Sequence, residues 1–163
     1  MKIGAIDFEE ELKLLKGIRQ DFSAKDLEIR VDANGAFAPE GALKKLESLS
    51  KFDLHSIEQP IAPGQTDIMA TLCRNTPVPI ALDEELIGVF DPLEQLYLIK
   101  KIRPQFVIIK PSLLGGWKAS EEWISHAESS DAGWWVTSAL ESNVGLNAIA
   151  QWTFQQNAKG HQG

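Results

Sequence analysis

Short apolar runs, each closed by a polar residue, recur at nearly even spacing, and this repeat limits the possible folds more than any single motif. The runs cover residues 27–31, 54–57, 78–82, 106–109 and 134–136. They are too short for helices and rich in β-branched or aromatic residues, so they read as buried strands. Their near-continuous apolar character suits parallel strands covered on both faces. The residues that close them are Asp32, Glu58, Asp83, Lys110 and Ser138, and Lys2 closes a shortened segment at the start. Counted from Lys2, the intervals are 30, 26, 25, 27 and 28 residues.

Helix signals fill the intervals. Asp7, with Glu10 three residues on, has the form of a capping box ahead of Leu12, Leu15 and Ile18. Pro39 and Glu40 open a second helix expected to bury Leu43, Leu46 and Leu49. A shorter one fits residues 66–74. Asp91, Pro92 and Glu94 start another, which Lys100 and Lys101 close in favour of its dipole. Two more are expected at about 117–128 and 143–156.

Alternation of this kind predicts an α/β fold with a parallel sheet. Two architectures compete. In an open doubly wound sheet the ligand sits at a topological switch point, so only some strands contribute. In a (β/α)₈ barrel every strand points its C-terminal end at one site. Polar residues at six consecutive strand ends favour the barrel, and Gly115–Gly116 alone makes no Gly-x-Gly-x-x-Gly fingerprint. A barrel needs eight units and ~250 residues, whereas 163 residues hold about six. The expectation is therefore a partial (β/α)₈ TIM-type barrel over residues 1–163, one body with no internal boundary, and a piece of a longer protein.

Asp32, Glu58 and Asp83 would bring three carboxylates to adjacent strand ends. Unpaired at close range they repel, and their pKa values rise. A hard divalent cation relieves this, and Mg²⁺ takes oxygen ligands while keeping positions open for water or substrate. Alternatively, each acid pairs with a base or caps a helix. Lys2 and Lys110 flank the three acids in strand order. A lysine near a metal and other cations can act as a base near neutrality, which suits proton abstraction next to a carboxylate.

The segments Met1-Lys2, Val31-Asp32-Ala33-Asn34, Ile57-Glu58-Gln59-Pro60, Leu82-Asp83-Glu84 and Ile109-Lys110-Pro111 resemble the muconate-lactonizing subgroup of the enolase superfamily. Residues 81–88, 110–116 and 137–146 are further similar to its o-succinylbenzoate synthases, of the type found in Bacteroidetes. The resemblance implies Mg²⁺ on Asp32, Glu58 and Asp83, with Lys2 as general base and Lys110 as a cation facing an enediolate. It implies Asn34 in support of the metal or of substrate polar groups, and Ser138 with nearby backbone holding a substrate carboxylate. The implied reaction is dehydration of a cyclohexadiene carboxylate to o-succinylbenzoate, in menaquinone biosynthesis. Dipeptide epimerisation or muconate-type cycloisomerisation on the same scaffold is the alternative. The family's first lysine of Lys-x-Lys, its capping domain and its eighth strand have no counterpart in these residues, so the chain alone is expected to be inactive and to leave two open sheet edges. A phosphoacceptor signalling domain fits less well, because its acids do not end three successive strands. An inactive remnant is a further alternative.

Composition narrows the partners. The net charge of −7 disfavours a nucleic-acid binder, which needs a basic face. No apolar run approaches the ~20 residues of a membrane span, and the N-terminus lacks the zones of a signal peptide. A cytoplasmic protein with a small carboxylate substrate is expected; oligomeric state is left open. The single cysteine, Cys73, has no internal disulfide partner and reads as a core residue. His55, His126 and His161 share no ligand spacing, and His55 reads as a core or rim residue. Ser138 and Ser142 have no histidine and acid pattern nearby, so no serine nucleophile is expected.

Overall fold

The computed structural model describes residues 1–162. Six helices alternate with five strands: α1 Phe8–Asp21, β1 Arg30–Asp32, α2 Pro39–Leu49, β2 Ser56–Glu58, α3 Thr66–Asn75, β3 Ile80–Leu82, α4 Pro92–Ile102, β4 Phe106–Ile109, α5 Trp117–Glu128, β5 Gly133–Val136 and α6 Asn143–Gln155. The strands form one parallel sheet in the order β1-β2-β3-β4-β5. Strand order therefore follows chain order and never reverses, which leaves no switch point of the doubly wound kind.

The two faces of the sheet differ. Val31, Ile57, Ile80, Leu82, Val107, Ile109 and Val136 join helix residues such as Leu15, Leu46, Ile99, Trp123 and Ile149 in one large core. Ala81, Ile108 and Trp135, with Phe106, form a separate cluster that contains no helix residue. All helices thus pack on one side, as on the wall of a (β/α)₈ barrel, and the other face is the barrel interior. Cover on both faces was expected. Helices cover only the outer face, and the inner one is held by strand side chains alone.

Strand side chains alternate between faces. With Val31, Ile57, Leu82, Ile109 and Val136 pointing outward, the next residue on each strand line points inward. That places Asp32, Glu58, Asp83 and Lys110 on the interior side, at the C-terminal ends. At β5 the inward residue is Thr137, which donates its backbone N–H to the Ile109 carbonyl at 3.0 Å.

The first three strands are shorter than the apolar runs. Leu27 and Val78 lie before the ladders, in turns tied by Leu27 N–H to the Ser23 carbonyl at 3.0 Å and by Val78 N–H to Thr76 Oγ1 at 3.1 Å. At the start, Lys2 adds one parallel bridge to Asp32 rather than a sixth named strand. Met1 and Ile3 complete that pairing through Asp32 N–H to the Met1 carbonyl at 2.9 Å and Ile3 N–H to the Asp32 carbonyl at 2.8 Å. At the opposite edge, Gln162 Oε1 accepts the Val136 N–H at 2.8 Å.

Most helix signals act as read. Asp91 accepts from the N–H groups of both Leu93 and Glu94, at 2.8 and 3.1 Å. The capping box at α1 is only half formed. Asp7 accepts from Glu9 N–H, but the Glu10 carboxylate pairs with Lys13 at 2.6 Å instead of reaching back. In α2, Ala42 is buried with Leu46 and Leu49, while Leu43 is half-buried. Cys73 lies in the core, and His55 stacks on Phe106 with ring centres 4.8 Å apart. Among the described residues no helix is long and apolar enough to cross a membrane.

Candidate active site

Each acid is set by the turn that follows its strand. After β1 the chain reverses through Asn34 and Gly35, with φ of 42° and 74°. Glycine is required at the second position: a Cβ on Gly35 would stand 2.9 Å from the Ala62 Cα, and the conformation is left-handed. This tight turn brings Asn34 N–H to Asp32 Oδ1 at 2.8 Å. The other carboxylate oxygen, Oδ2, accepts from Lys2 Nζ at 2.5 Å. Lys2 Nζ also donates to Asn34 Oδ1 at 2.7 Å, and Asn34 Nδ2 donates to Glu84 Oε1 at 2.8 Å.

The second lysine works from the other end. Lys110 Nζ donates to Asp83 Oδ2 and lies 3.4 Å from Glu58 Oε1. Its side chain is 15% exposed, against 67% for Lys2. Burial opposes the Lys110 charge, but the Asp83 and Glu58 carboxylates outweigh burial and raise its pKa above the ordinary lysine value. A lysine near a metal and other cations can have its pKa lowered, but the two acids against Lys110 act the other way. Glu58 carries the carboxylate repulsion. Burial, the Asp83 carboxyl within hydrogen-bonding reach and the Asp32 charge push it up to about 8, and Lys110 only partly offsets them.

Lys2, Asp32 and Glu58 border a cavity of about 350 Å³ on the interior face, which Arg30, Trp135 and Thr137 also line. The Arg30 guanidinium lies 4.3 Å from the Trp135 ring centre. Trp135 thus lies on the interior face.

The family model described as "Enolase C-terminal domain-like" matches residues 1–162. The chain belongs to that family. An o-succinylbenzoate synthase of Desulfotalea psychrophila is 58% identical over 153 residues, which are 94% of this chain and 41% of that protein. An L-amino acid-D/L-Glu epimerase of Francisella philomiragia is 27% identical over 159 residues, 96% of this chain and 43% of that one. The crystal structure of MenC from Desulfotalea psychrophila superposes with a TM-score of 0.94 at 54% identity, covering 99% of this chain and 44% of that structure. The chain therefore spans less than half the length of these enolase-family relatives.

Set against the sequence reading, the structure brings Lys2, Asp32, Asn34, Glu58, Asp83 and Lys110 into one row along the interior strand ends. It does not bring Ser138 there. Ser138 borders a second cavity of about 720 Å³ at the outer edge of β5, with Leu146, Ile149 and Phe154, while Thr137 lines both cavities. The period-two alternation after Val136 selects Thr137 as the interior residue, and that signal was available in the sequence. Glu84, Gln59 and Glu85 were also missed as site residues, since their partners lie 24 to 50 residues away in sequence.

The donor chemistry fits a divalent cation. Lys2 and Lys110 balance only two of the three carboxylates Asp32, Glu58 and Asp83, and the third, Glu58, instead holds its proton up to about pH 8. Among the described residues no three acids stand as a ready-made ion-holding group; Asp32 and Asp83 are paired with the Lys2 and Lys110 ammonium groups.

Proposed function

We propose that this chain carries the metal- and proton-handling residues of an Mg²⁺-dependent carbon–oxygen lyase of the o-succinylbenzoate synthase type. The observation that carries the reaction class is the row Lys2–Asp32–Glu58–Asp83–Lys110 on neighbouring strand ends. The 58% identity to the Desulfotalea psychrophila synthase favours this lyase among the family's reactions.

In this reading Asp32, Glu58 and Asp83 hold Mg²⁺. A bound Mg²⁺ supplies positive charge to the substrate carboxylate as its neighbouring carbon loses a proton. Lys2, the more exposed lysine, takes that proton at Nζ once its bond to Asp32 is exchanged for substrate. The C–H electron pair becomes the second charge of an enediolate. Lys110, buried and held cationic, faces that charge from the other side. The pair then forms the ring double bond as hydroxide leaves, and the Lys2 ammonium returns its proton to give water. Departure of both groups on the Lys2 face makes the elimination syn. Asn34 orients Lys2, and Thr137 replaces Ser138 as the β5 residue nearest the substrate. The substrate is a small carboxylate, the pathway menaquinone biosynthesis and the compartment the cytoplasm.

The matched 153 residues of the Desulfotalea psychrophila enzyme offer a direct test. In a chimera with this chain in that segment, o-succinylbenzoate formation should depend on Mg²⁺, and Lys2→Ala or Lys110→Ala should each cost about 10²-fold or more, the scale of a lost acid–base group. The chain by itself should turn over little or nothing. A folded, Mg²⁺-binding chimera without turnover overturns the reading. Epimerisation, favoured by the 27% match, uses the same proton abstraction with return from the Lys110 side. Racemisation of a dipeptide by the chimera, without synthase activity, would establish it instead.

A further inference from the structure

A single buried amide joins the turns that follow β2 and β3. Gln59, next to Glu58, is fully buried. Its Oε1 accepts from the backbone N–H groups of Asp83 and Glu85, both at 3.2 Å. Its Nε2 donates to the Ile61 carbonyl at 3.0 Å and to Glu85 Oε2 at 3.2 Å. Both lone pairs and both hydrogens are thus used. Glu85 is 6% exposed, and its carboxylate also accepts the Gly64 N–H at 3.2 Å. No ion pair to Glu85 occurs among the described residues.

This arrangement is costly. Gln59 has φ of 36°, in the left-handed region that residues other than glycine seldom adopt. Glu85 is an acid removed from water and held by neutral donors. The β2–β3 ladder shows what these two residues achieve. Its last registered pair is Glu58 with Ala81. Asp83 lies two residues beyond that pair, so the ladder alone does not fix it against Glu58. The Gln59 side chain does, by holding the Asp83 N–H from the residue adjoining Glu58.

We infer that Gln59 and Glu85 are positioning residues that set the spacing of the Glu58 and Asp83 carboxylates for a divalent cation. The inference rests on the metal reading proposed above. Neither residue touches the reacting atoms; each acts through the Asp83 backbone.

The test titrates the chain with Mn²⁺, read by electron paramagnetic resonance, alongside amide hydrogen exchange at Asp83. Gln59→Asn is the informative variant, because asparagine tolerates the left-handed conformation but is one methylene too short for both turns. Gln95→Asn is the control: Gln95 is equally buried and bonds only the Val89 carbonyl, at 3.1 Å. Gln59→Asn should weaken Mn²⁺ binding about 10–100-fold, as loss of an outer-shell partner does, and should speed Asp83 exchange, while Gln95→Asn changes neither. Glu85→Gln, which keeps size and removes charge, should weaken Mn²⁺ binding in the same direction and serves if Gln59→Asn does not fold. Unchanged Mn²⁺ affinity in a folded Gln59→Asn chain overturns the inference. If the unaltered chain binds no Mn²⁺, the metal reading fails. The brace is then decided by Asp83 exchange alone: protection lost in Gln59→Asn upholds it, and equal exchange overturns it.

Discussion

Glu58 concentrates the site's electrostatics in one side chain. Its ordinary pKa is 4.5, and in the folded chain it stands at about 8. Between those values the unfolded chain has released the proton that the folded chain still holds. The folded state then binds more protons, so stability falls as pH rises across that window. A chain freed of divalent ions should therefore unfold at lower denaturant concentration at pH 8 than at pH 5, and Glu58→Gln should flatten the trend. A slope that Glu58→Gln leaves unchanged would place its origin elsewhere. Cys73 illustrates burial without function. Loss of water pushes its thiol up to about 12, so almost no thiolate forms at pH 8. An aromatic disulfide reagent should leave the folded chain unlabelled at that pH and label it on unfolding.

Among the elements, α4 shows how a local signal becomes stability. Asp91 satisfies two of the first-turn N–H groups, and Pro92 at the next position has no N–H to satisfy. Asp91→Ala should cost about 1 kcal/mol in urea unfolding, the usual value of such a cap. Signals of this kind, confined to a few neighbouring residues, made the helices legible: α5 spans the very residues read from the sequence, and α3 and α6 differ from their readings by one residue. Strand ends were legible in the same way, because an apolar run that stops at an acid marks both the end of the ladder and the start of the site. At β5 the two-residue alternation after Val136 turns Thr137, rather than the strand-end residue Ser138, to the interior face. The Gln59–Glu85 brace had no such trace. Its bonds close over as many as 26 residues, and a glutamine beside a proline looks in sequence like any turn. What the sequence hides is contact between turns, which depends on the register of the whole sheet.

At the scale of the whole molecule, a sheet covered by helices on one face gathers its strand-end charges on the other. Folding forces Asp32, Glu58 and Asp83 toward one another, and the two lysines balance only two of the three carboxylates, so the ion-free chain keeps a proton on Glu58 up to about pH 8. Nothing similar exists in the unfolded chain, where the acids are separated by 26 and 25 residues of flexible backbone. A divalent cation that binds this row must therefore stabilise the fold, by RT ln(1 + [ion]/Kd), or about 2.7 kcal/mol at a hundredfold excess over Kd. For a chain of this size that is a rise in Tm on the order of 5–10 °C. Calorimetric scans with Mg²⁺ should reach it, and sodium chloride at equal ionic strength should not, since screening acts weakly on partly buried groups. Lys110→Ala should lower the ion-free Tm, because it strands two acids that are nearly buried. Mg²⁺ should then recover more stability in Lys110→Ala than in the unaltered chain, since the ion takes over the charge that Lys110 had balanced. Equal gains in both chains would mean that the ion and Lys110 answer to different carboxylates, and the row would not be a single electrostatic unit.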